Sequence, residues 1–192
     1  FHQAGIIGAQ DFEDGFEMAK TLASQPPAQG NRVLIVTDAG GAGVMTVDAC
    51  EALGLSIPET PADKQKILRE AFPGYCSVRN PVDLTGDTNA ERYQIALETL
   101  LGTPHYDAAI VIVMMQVPLL DLDIVDRLIA VVRKHNKPLV ALTAGGRFTM
   151  QGARLLEEAG IPAMPTPARA AKALWALVEY GQHRKQHQVR KE

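Results

Sequence analysis

Two short stretches hold the residues best placed for chemistry. The first, Asp38-Ala39-Gly40-Gly41-Ala42-Gly43, follows the apolar run Val33-Leu34-Ile35-Val36-Thr37 and precedes Val44, Val47, Cys50 and Leu53 at helical spacing. A buried strand, a tight glycine turn and a helix in that order make one unit of an open α/β sheet. The second, Thr85-Gly86-Asp87-Thr88-Asn89, lies between a brief strand at Asn80-Pro81-Val82-Asp83-Leu84 and a helix with Tyr93, Ala96, Leu97 and Leu100 on its apolar face. Glycine lets backbone pass close to whatever sits over a turn. No Ser or Thr is placed to cap the first helix, although Asp38 lies within reach, so its first N–H groups are left for a ligand. Each helix start carries about half a positive charge. A phosphate or carboxylate between two of them would be held mainly by backbone. A purely steric reason for the glycines stands beside this reading.

The remaining elements must position those loops. Residues 1–30 read as an arm, a helix and a linker. Asp11 caps a helix to about Ser24 with Phe12, Phe16, Ala19 and Leu22 along one side, and Gln25-Pro26-Pro27-Ala28-Gln29-Gly30 is a linker by composition. Residues 31–181 form the main domain. Leu55-Ser56-Ile57 is a candidate second strand, and Thr60 or Asp63 opens a helix through Ile67, Leu68 and Phe72 that stops at Pro73-Gly74. Thr88 and Glu91 make a capping box. Ala108–Met115 is a central strand, apolar on both faces as a parallel sheet requires. A helix carrying Ile124, Leu128, Val131 and Val132, a strand at Pro138–Thr143, a helix over Gly152–Ala159, a strand at Ile161–Met164 and a helix over Ala168–Tyr180 complete the pattern. Residues 182–192 show no apolar periodicity and read as a tail. The alternation predicts an α/β fold: a flavodoxin-like, doubly wound, parallel five-stranded sheet of order 2-1-3-4-5 with an N-terminal helical arm. In that order ligands bind beyond the carboxyl ends of strands 1 and 3, and the two glycine loops are expected to flank that switch point.

Bulk properties narrow the function classes. The chain has 192 residues, 46% hydrophobic and 21% charged, with a net charge of −3. It carries no basic stripe interleaved with aromatics, which argues against a nucleic-acid surface. Cys50 and Cys76 form neither a close metal pair nor a disulfide framework. The longest apolar run is too short to span a bilayer, and the start lacks a signal peptide, so a cytoplasmic protein without membrane contact is expected. The first loop is not G-x-G-x-x-G and lacks the Lys of a P-loop. A receiver-type phosphorylation site is also disfavoured, because Gly145-Gly146 stands where its strand-ending Lys would be.

At these loops a resemblance becomes specific. TDAGGAGVMTVDACEALGL, NPVDLTGDTNAERYQIAL, KPLVALTAGG and GIPAMPTPARAAKAL resemble the ligase-CoA domain that follows the phosphohistidine domain in ADP-forming acetyl-CoA synthetases (acetate–CoA ligases). The same loops are similar to the ligase domain of the succinyl-CoA synthetase β subunit. The resemblance runs from about Ala4 to Tyr180. It implies interconversion of acyl-CoA, ADP and phosphate with acid, CoA and ATP, a phosphoryl group being carried on a histidine. It implies that Gly86, Asp87, Thr88 and Asn89 supply a helix start to the phosphohistidine, and that Gly40, Gly41, Ala42 and Gly43 line the neighbouring acyl or phosphate pocket. CoA, ADP or ATP, phosphate and Mg would belong to the whole enzyme, none being bound by this domain alone. The implied partners are CoA-binding and phosphohistidine domains of the same chain, an ATP-grasp domain or subunit, and a small acyl substrate.

Two departures from the family pattern stand out. Asp38 occupies a position usually held by Asn, and a carboxylate beside an anion pocket must turn away or take a proton. The S-H-T-G-S-type motif of the phosphorylated histidine is absent and is expected upstream of Phe1, so no catalytic residue and no metal site is assigned within the chain. His2, His105, His135, His183 and His187 lack ligand spacing and read as surface residues. Gln116, Gly145, Gly146 and Arg147 end two strands on the same rim, where Arg147 suits either an acyl carboxylate or an inter-domain salt bridge. Cys50 and Met45 read as core, Trp175 as a packing anchor, and Arg184 and Lys185 as a solvated linker. A second class of function stays open: a non-catalytic sensing or assembly module, as in bacterial lysine acetyltransferases with a synthetase-like region. An acetyltransferase domain in the same gene would favour it.

Overall fold

The computed structural model describes the backbone of residues 5–189 and side chains through residue 186. His2 and the side chain of His187 lie outside that range. Five parallel strands, β1 (Val33–Thr37), β2 (Val82–Asp83), β3 (Ala108–Ile112), β4 (Leu139–Leu142) and β5 (Ala163–Met164), stand in the order β2-β1-β3-β4-β5. The helices are α1 (Phe12–Ser24), α2 (Gly40–Ala52), α3 (Ala62–Ala71), α4 (Ala90–Leu101), α5 (Asp123–His135), α6 (Arg147–Glu158) and α7 (Pro167–Val189). β1 and β3 are buried along their whole length. Side chains alternate across a strand, so Leu34 and Val36 join α3, α4 and α5 on one face, while Val33 and Ile35 join α2 and α7 on the other. This is the doubly wound sheet the sequence predicts.

Strand order moves one of the two loops. Leu55–Ile57 is no strand and touches the sheet through a single bridge from Arg32 to Ser56. Val82–Asp83 is therefore β2, at the sheet edge, and both glycine loops follow neighbouring strands on one side of the reversal. The loop after β3, not Thr85–Asn89, flanks the switch point opposite Asp38. β2 has only two residues, and an asparagine side chain continues its role. Asn80 Oδ1 accepts from Ile35 N at 2.9 Å and Nδ2 donates to Val33 O at 2.8 Å, satisfying β1 groups that a longer strand would pair.

Several helix ends and faces also differ from expectation. Asp11 does cap α1 through Asp14 N at 2.9 Å, but Phe12 and Phe16 are 82% and 68% exposed, and Asp14, Met18 and Thr21 face inward. Thr21 is admitted there because its hydroxyl bonds Glu17 O. Val44 and Met45 on α2 are exposed, while Cys50 is core, its thiol pushed up to about 12 by burial. Neither Thr60 nor Asp63 caps α3, and the Thr60 hydroxyl meets that of Tyr106 at 3.2 Å instead. α6 begins directly at Arg147 rather than at Gly152. α7 runs to Val189, so much of the expected tail is helix, and Lys185 reaches back to Gln29 O. No described helix is long and apolar enough to cross a membrane.

Candidate functional site

β1 delivers Thr37 and Asp38 to the carboxyl edge. Thr37 Oγ1 bonds both N and O of Ala39 at 2.9 Å, turning the chain into α2. Ala39 is the N-cap and no side chain caps the helix. Asp38, 4% exposed, does not reach back to it. Its two oxygens accept from Met114 N at 3.1 and 2.8 Å, tying this loop to the one after β3 across the switch point. Burial, with the Asp83 carboxylate adding to it, pushes Asp38 up to about 7 against the pull of the Met114 amide. Both remedies expected for an acid beside an anion pocket thus operate together: the carboxylate is turned away and its hold on a proton is raised.

The glycines divide into two kinds. A Cβ at Gly40 would lie 2.5 Å from Asp83 Oδ2, and one at Gly43 would lie 3.0 Å from Thr37 Cγ2, so a side chain at either would displace a packed neighbour. A Cβ at Gly41 would meet nothing within 4 Å. The steric explanation therefore accounts for Gly40 and Gly43 and leaves Gly41 facing open space in the first turn of an uncapped helix.

At the second loop the chain satisfies itself. Thr85 takes φ 64, a left-handed conformation disfavoured for a β-branched residue. It is held there by Thr85 N to Asp83 Oδ1 at 2.9 Å and by Thr85 Oγ1 to Asp87 Oδ1 at 2.6 Å. Asp87 also receives Tyr75 Oη and Arg92, and these donors, Thr85 foremost, bring it down to about 2. Asn89, not Thr88, is the N-cap of α4. Its Oδ1 accepts from Arg92 N at 3.0 Å, while Thr88 is buried with its hydroxyl on Asn89 O, so the Thr88–Glu91 box does not form. Gly86 is exposed, and a Cβ there would meet nothing within 4 Å.

Asp83 is the residue that sequence reasoning passed over. It ends β2 with one oxygen on Thr85 N and the other beside Gly40, so it joins the two loops and places a carboxylate at the start of α2. Its position as the last residue of a strand beside a glycine loop was the available signal. The expected rim sits farther along the same edge: Gln116 Nε2 donates to Ala144 O at 3.2 Å and lies over Gly145, while Arg147 is exposed in the first turn of α6. The bonds from Asp38 to Met114 and from Gln116 to Ala144 link the loops after β1, β3 and β4 into one row.

Comparison with known proteins places the chain in a family. The α subunit of acetate–CoA ligase [ADP-forming] I from Pyrococcus furiosus is 36% identical over 97% of this chain, which spans 41% of that subunit. Acetate–CoA ligase [ADP-forming] I from Archaeoglobus fulgidus is 32% identical over 94% of the chain, which covers 25% of its length. Among solved structures, the dinucleotide-forming acetyl-coenzyme A synthetase 1 of Ca. Korarchaeum cryptofilum, in complex with phosphate and ADP, superposes with a TM-score of 0.88 at 28% identity over 96% of the chain and 40% of its own. The chain thus spans less than half the length of the relatives it matches. The Ligase-CoA domain family model covers residues 33–188, nearly all of the sheet and its helices, and the chain is a member of that family.

Proposed function

We propose that the chain is the ligase domain of an ADP-forming acyl-CoA synthetase, contributing to the site where a phosphohistidine or acyl phosphate is held during acyl-CoA + ADP + phosphate ⇌ acid + CoA + ATP. The observation that carries this reading is the start of α2: an uncapped helix whose first turn opens, at Gly41, on space that no chain atom fills. α4 approaches the same edge from the other face of the sheet and offers Gly86 beside it. Backbone N–H groups suit phosphoryl transfer because they stabilise changing anionic charge without ionising or reorganising. An Asp38 that holds its proton up to about pH 7 offsets the positive end of α2 less than an ordinary carboxylate would, and so preserves part of its pull on an anion. Among the described residues no group of three or more His, Cys, Asp and Glu side chains is placed to hold a metal ion. The greater length of the relatives supports further domains or subunits beside this one, proposed to be CoA-binding, phosphohistidine and ATP-grasp units.

The test uses the full-length protein that carries this chain. Gly41→Val and Gly86→Val should each lower incorporation of radiolabelled phosphate onto histidine, while circular dichroism and melting temperature stay unchanged, since both positions face open space. Normal incorporation in both variants would overturn the reading.

A further inference from the structure

Away from the carboxyl edge, α1 wears its faces reversed. A surface helix ordinarily turns its apolar stripe to the core and its charges to water. On α1 the aromatic residues look outward: Phe12 and Phe16 are 82% and 68% exposed, with ring centroids 5.5 Å apart. Beside the rings runs an open groove of about 310 Å³, lined by Phe12, Gly15, Phe16, Ala19 and Asp11. The side turned to the domain is held largely by charge. Asp14 pairs with Lys172, Glu13 and Glu17 both reach Arg169, and Lys20 meets Glu157. Met18 and the partly buried Leu22 supply its apolar contacts. Ion pairs open to water contribute little each, and two neighbouring phenylalanines left in water forfeit the burial such side chains gain elsewhere. A contiguous apolar face of this kind marks an interaction surface.

What covers the face follows from where α1 belongs. The ligase family model begins at residue 33, beyond the helix. The match to the Pyrococcus furiosus α subunit takes in 97% of the chain, too much to leave out a helix of 13 residues, and the chain spans 41% of that subunit. α1 is thus shared with a longer subunit without being part of the ligase fold itself. A helix added outside the sheet, with its aromatic residues turned from the domain that anchors it, is suited to lie between that domain and another.

We propose that the Phe12–Phe16 face of α1 docks another domain of the same full-length polypeptide, which lays an apolar patch on the two rings and sets an aliphatic side chain into the groove beside Gly15 and Ala19. Docking also draws water away from the ion pairs behind α1 and so strengthens them. The inference rests on the greater length of the relatives and does not depend on the phosphoryl reading of the loops after β1 and β2.

Hydroxyl-radical footprinting of the full-length protein, read by mass spectrometry, compares these rings with Phe72, which is 5% exposed in the core. Phe12 and Phe16 should oxidise at a rate close to that of Phe72, and the protection should persist on dilution. In the double variant Phe12→Ser, Phe16→Ser, the melting temperature of the full-length protein should fall by about 5 °C or more. Serine and phenylalanine have similar helix propensities, and this domain leaves both rings in water, so the loss reports docking. Phe12→Leu with Phe16→Leu, which keeps an apolar face, should retain most of the stability. The proposal is overturned by oxidation of both rings much faster than Phe72, or by an unchanged melting temperature in the serine variant. Protection that fades on dilution would also overturn it, by assigning the face to a second copy of the chain.

Discussion

The starts of α2 and α4 stand at the carboxyl ends of neighbouring strands and come to the edge from opposite faces of the sheet, yet they dispose of their free N–H groups differently. α4 uses Asn89 as a cap, and the turn before it is pinned by Thr85, Asp87, Tyr75 and Arg92. α2 has no cap, and the nearby carboxylate that could have supplied one, Asp38, is spent on Met114. Two glycine-bearing loops that look alike in the sequence are therefore a self-sufficient turn and an open one. Orphan helix N–H groups need a partner, so the open turn is the stronger claimant on a ligand.

The largest effect expected from this difference is on activity. In the full-length protein Gly41→Val keeps the backbone N–H groups but sets a branched side chain in the space proposed for the anion, and should lower phosphoryl transfer about 10²–10³-fold, the scale of losing one preorganised anion donor. Gly86→Val should cost less, because the turn around it is stabilised from within. Steady-state phosphorylation rates of the two variants decide it, and a larger loss at Gly86 would invert the ranking.

The next effect is on stability and its pH dependence. Asp38 is ionised in the unfolded chain above about pH 4, whereas in the folded chain it holds its proton up to about 7. The folded state therefore binds the proton more tightly, and stability is lost as pH rises between those values. Asp38→Asn keeps an oxygen for Met114 N and removes the titration. It should be more stable than the parent by a few kcal/mol at about pH 8, with the gap closing as the pH falls towards about 4. Urea denaturation at the two ends of that range measures the gap. An unchanging gap would show that Asp38 is not the buried acid of this edge.

How far these differences could be read from residues alone depends on their range. The strand–turn–helix rhythm was legible because β1, β3 and β4 are apolar on both faces, a local signal that burial in a parallel sheet enforces. The absence of a cap on α2 was legible for the same reason: the cap would have to lie next to it in sequence. The caps of α3 and α4 were misplaced because Thr60 and Thr88 have buried destinations, Tyr106 and the Asn89 carbonyl, that no local pattern announces. The strand order is as the sequence predicts, but the segment forming strand 2 is not: Leu55–Ile57 looks like a strand yet finds only one bridge, since Asn80 and β2 already occupy that side of β1. The inward face of α1 was misread because Lys172 pairs with Asp14, burying a carboxylate where Phe12 and Phe16 promised an apolar stripe.

A smaller effect isolates the cap of α4. Asn89→Ala removes the acceptor for Arg92 N and should destabilise the protein by ~1 kcal/mol in thermal or urea denaturation. A loss within experimental error would mean that the Thr85–Asp87–Arg92 network holds the helix start without Asn89, and the contrast with α2 would then rest on that network alone.

The smallest expected change in stability makes the most direct test of the contrast, because it turns one helix start into the other. Ala39 sits at the N-cap of α2 with φ −133 and ψ 92, an extended backbone that accepts a capping residue. Ala39→Ser places a hydroxyl where it can accept from the second or third N–H of the helix, and should stabilise the protein by ~0.5–1 kcal/mol. If those N–H groups are reserved for an anion, the same hydroxyl competes with it, so phosphorylation of the full-length protein should fall as the melting temperature rises. A structural helix start would gain stability at no cost in activity, whereas a ligand-binding one must trade the two. A rise in stability with an undiminished rate would place the anion elsewhere on the edge and leave α2 as an ordinary helix with a poor cap.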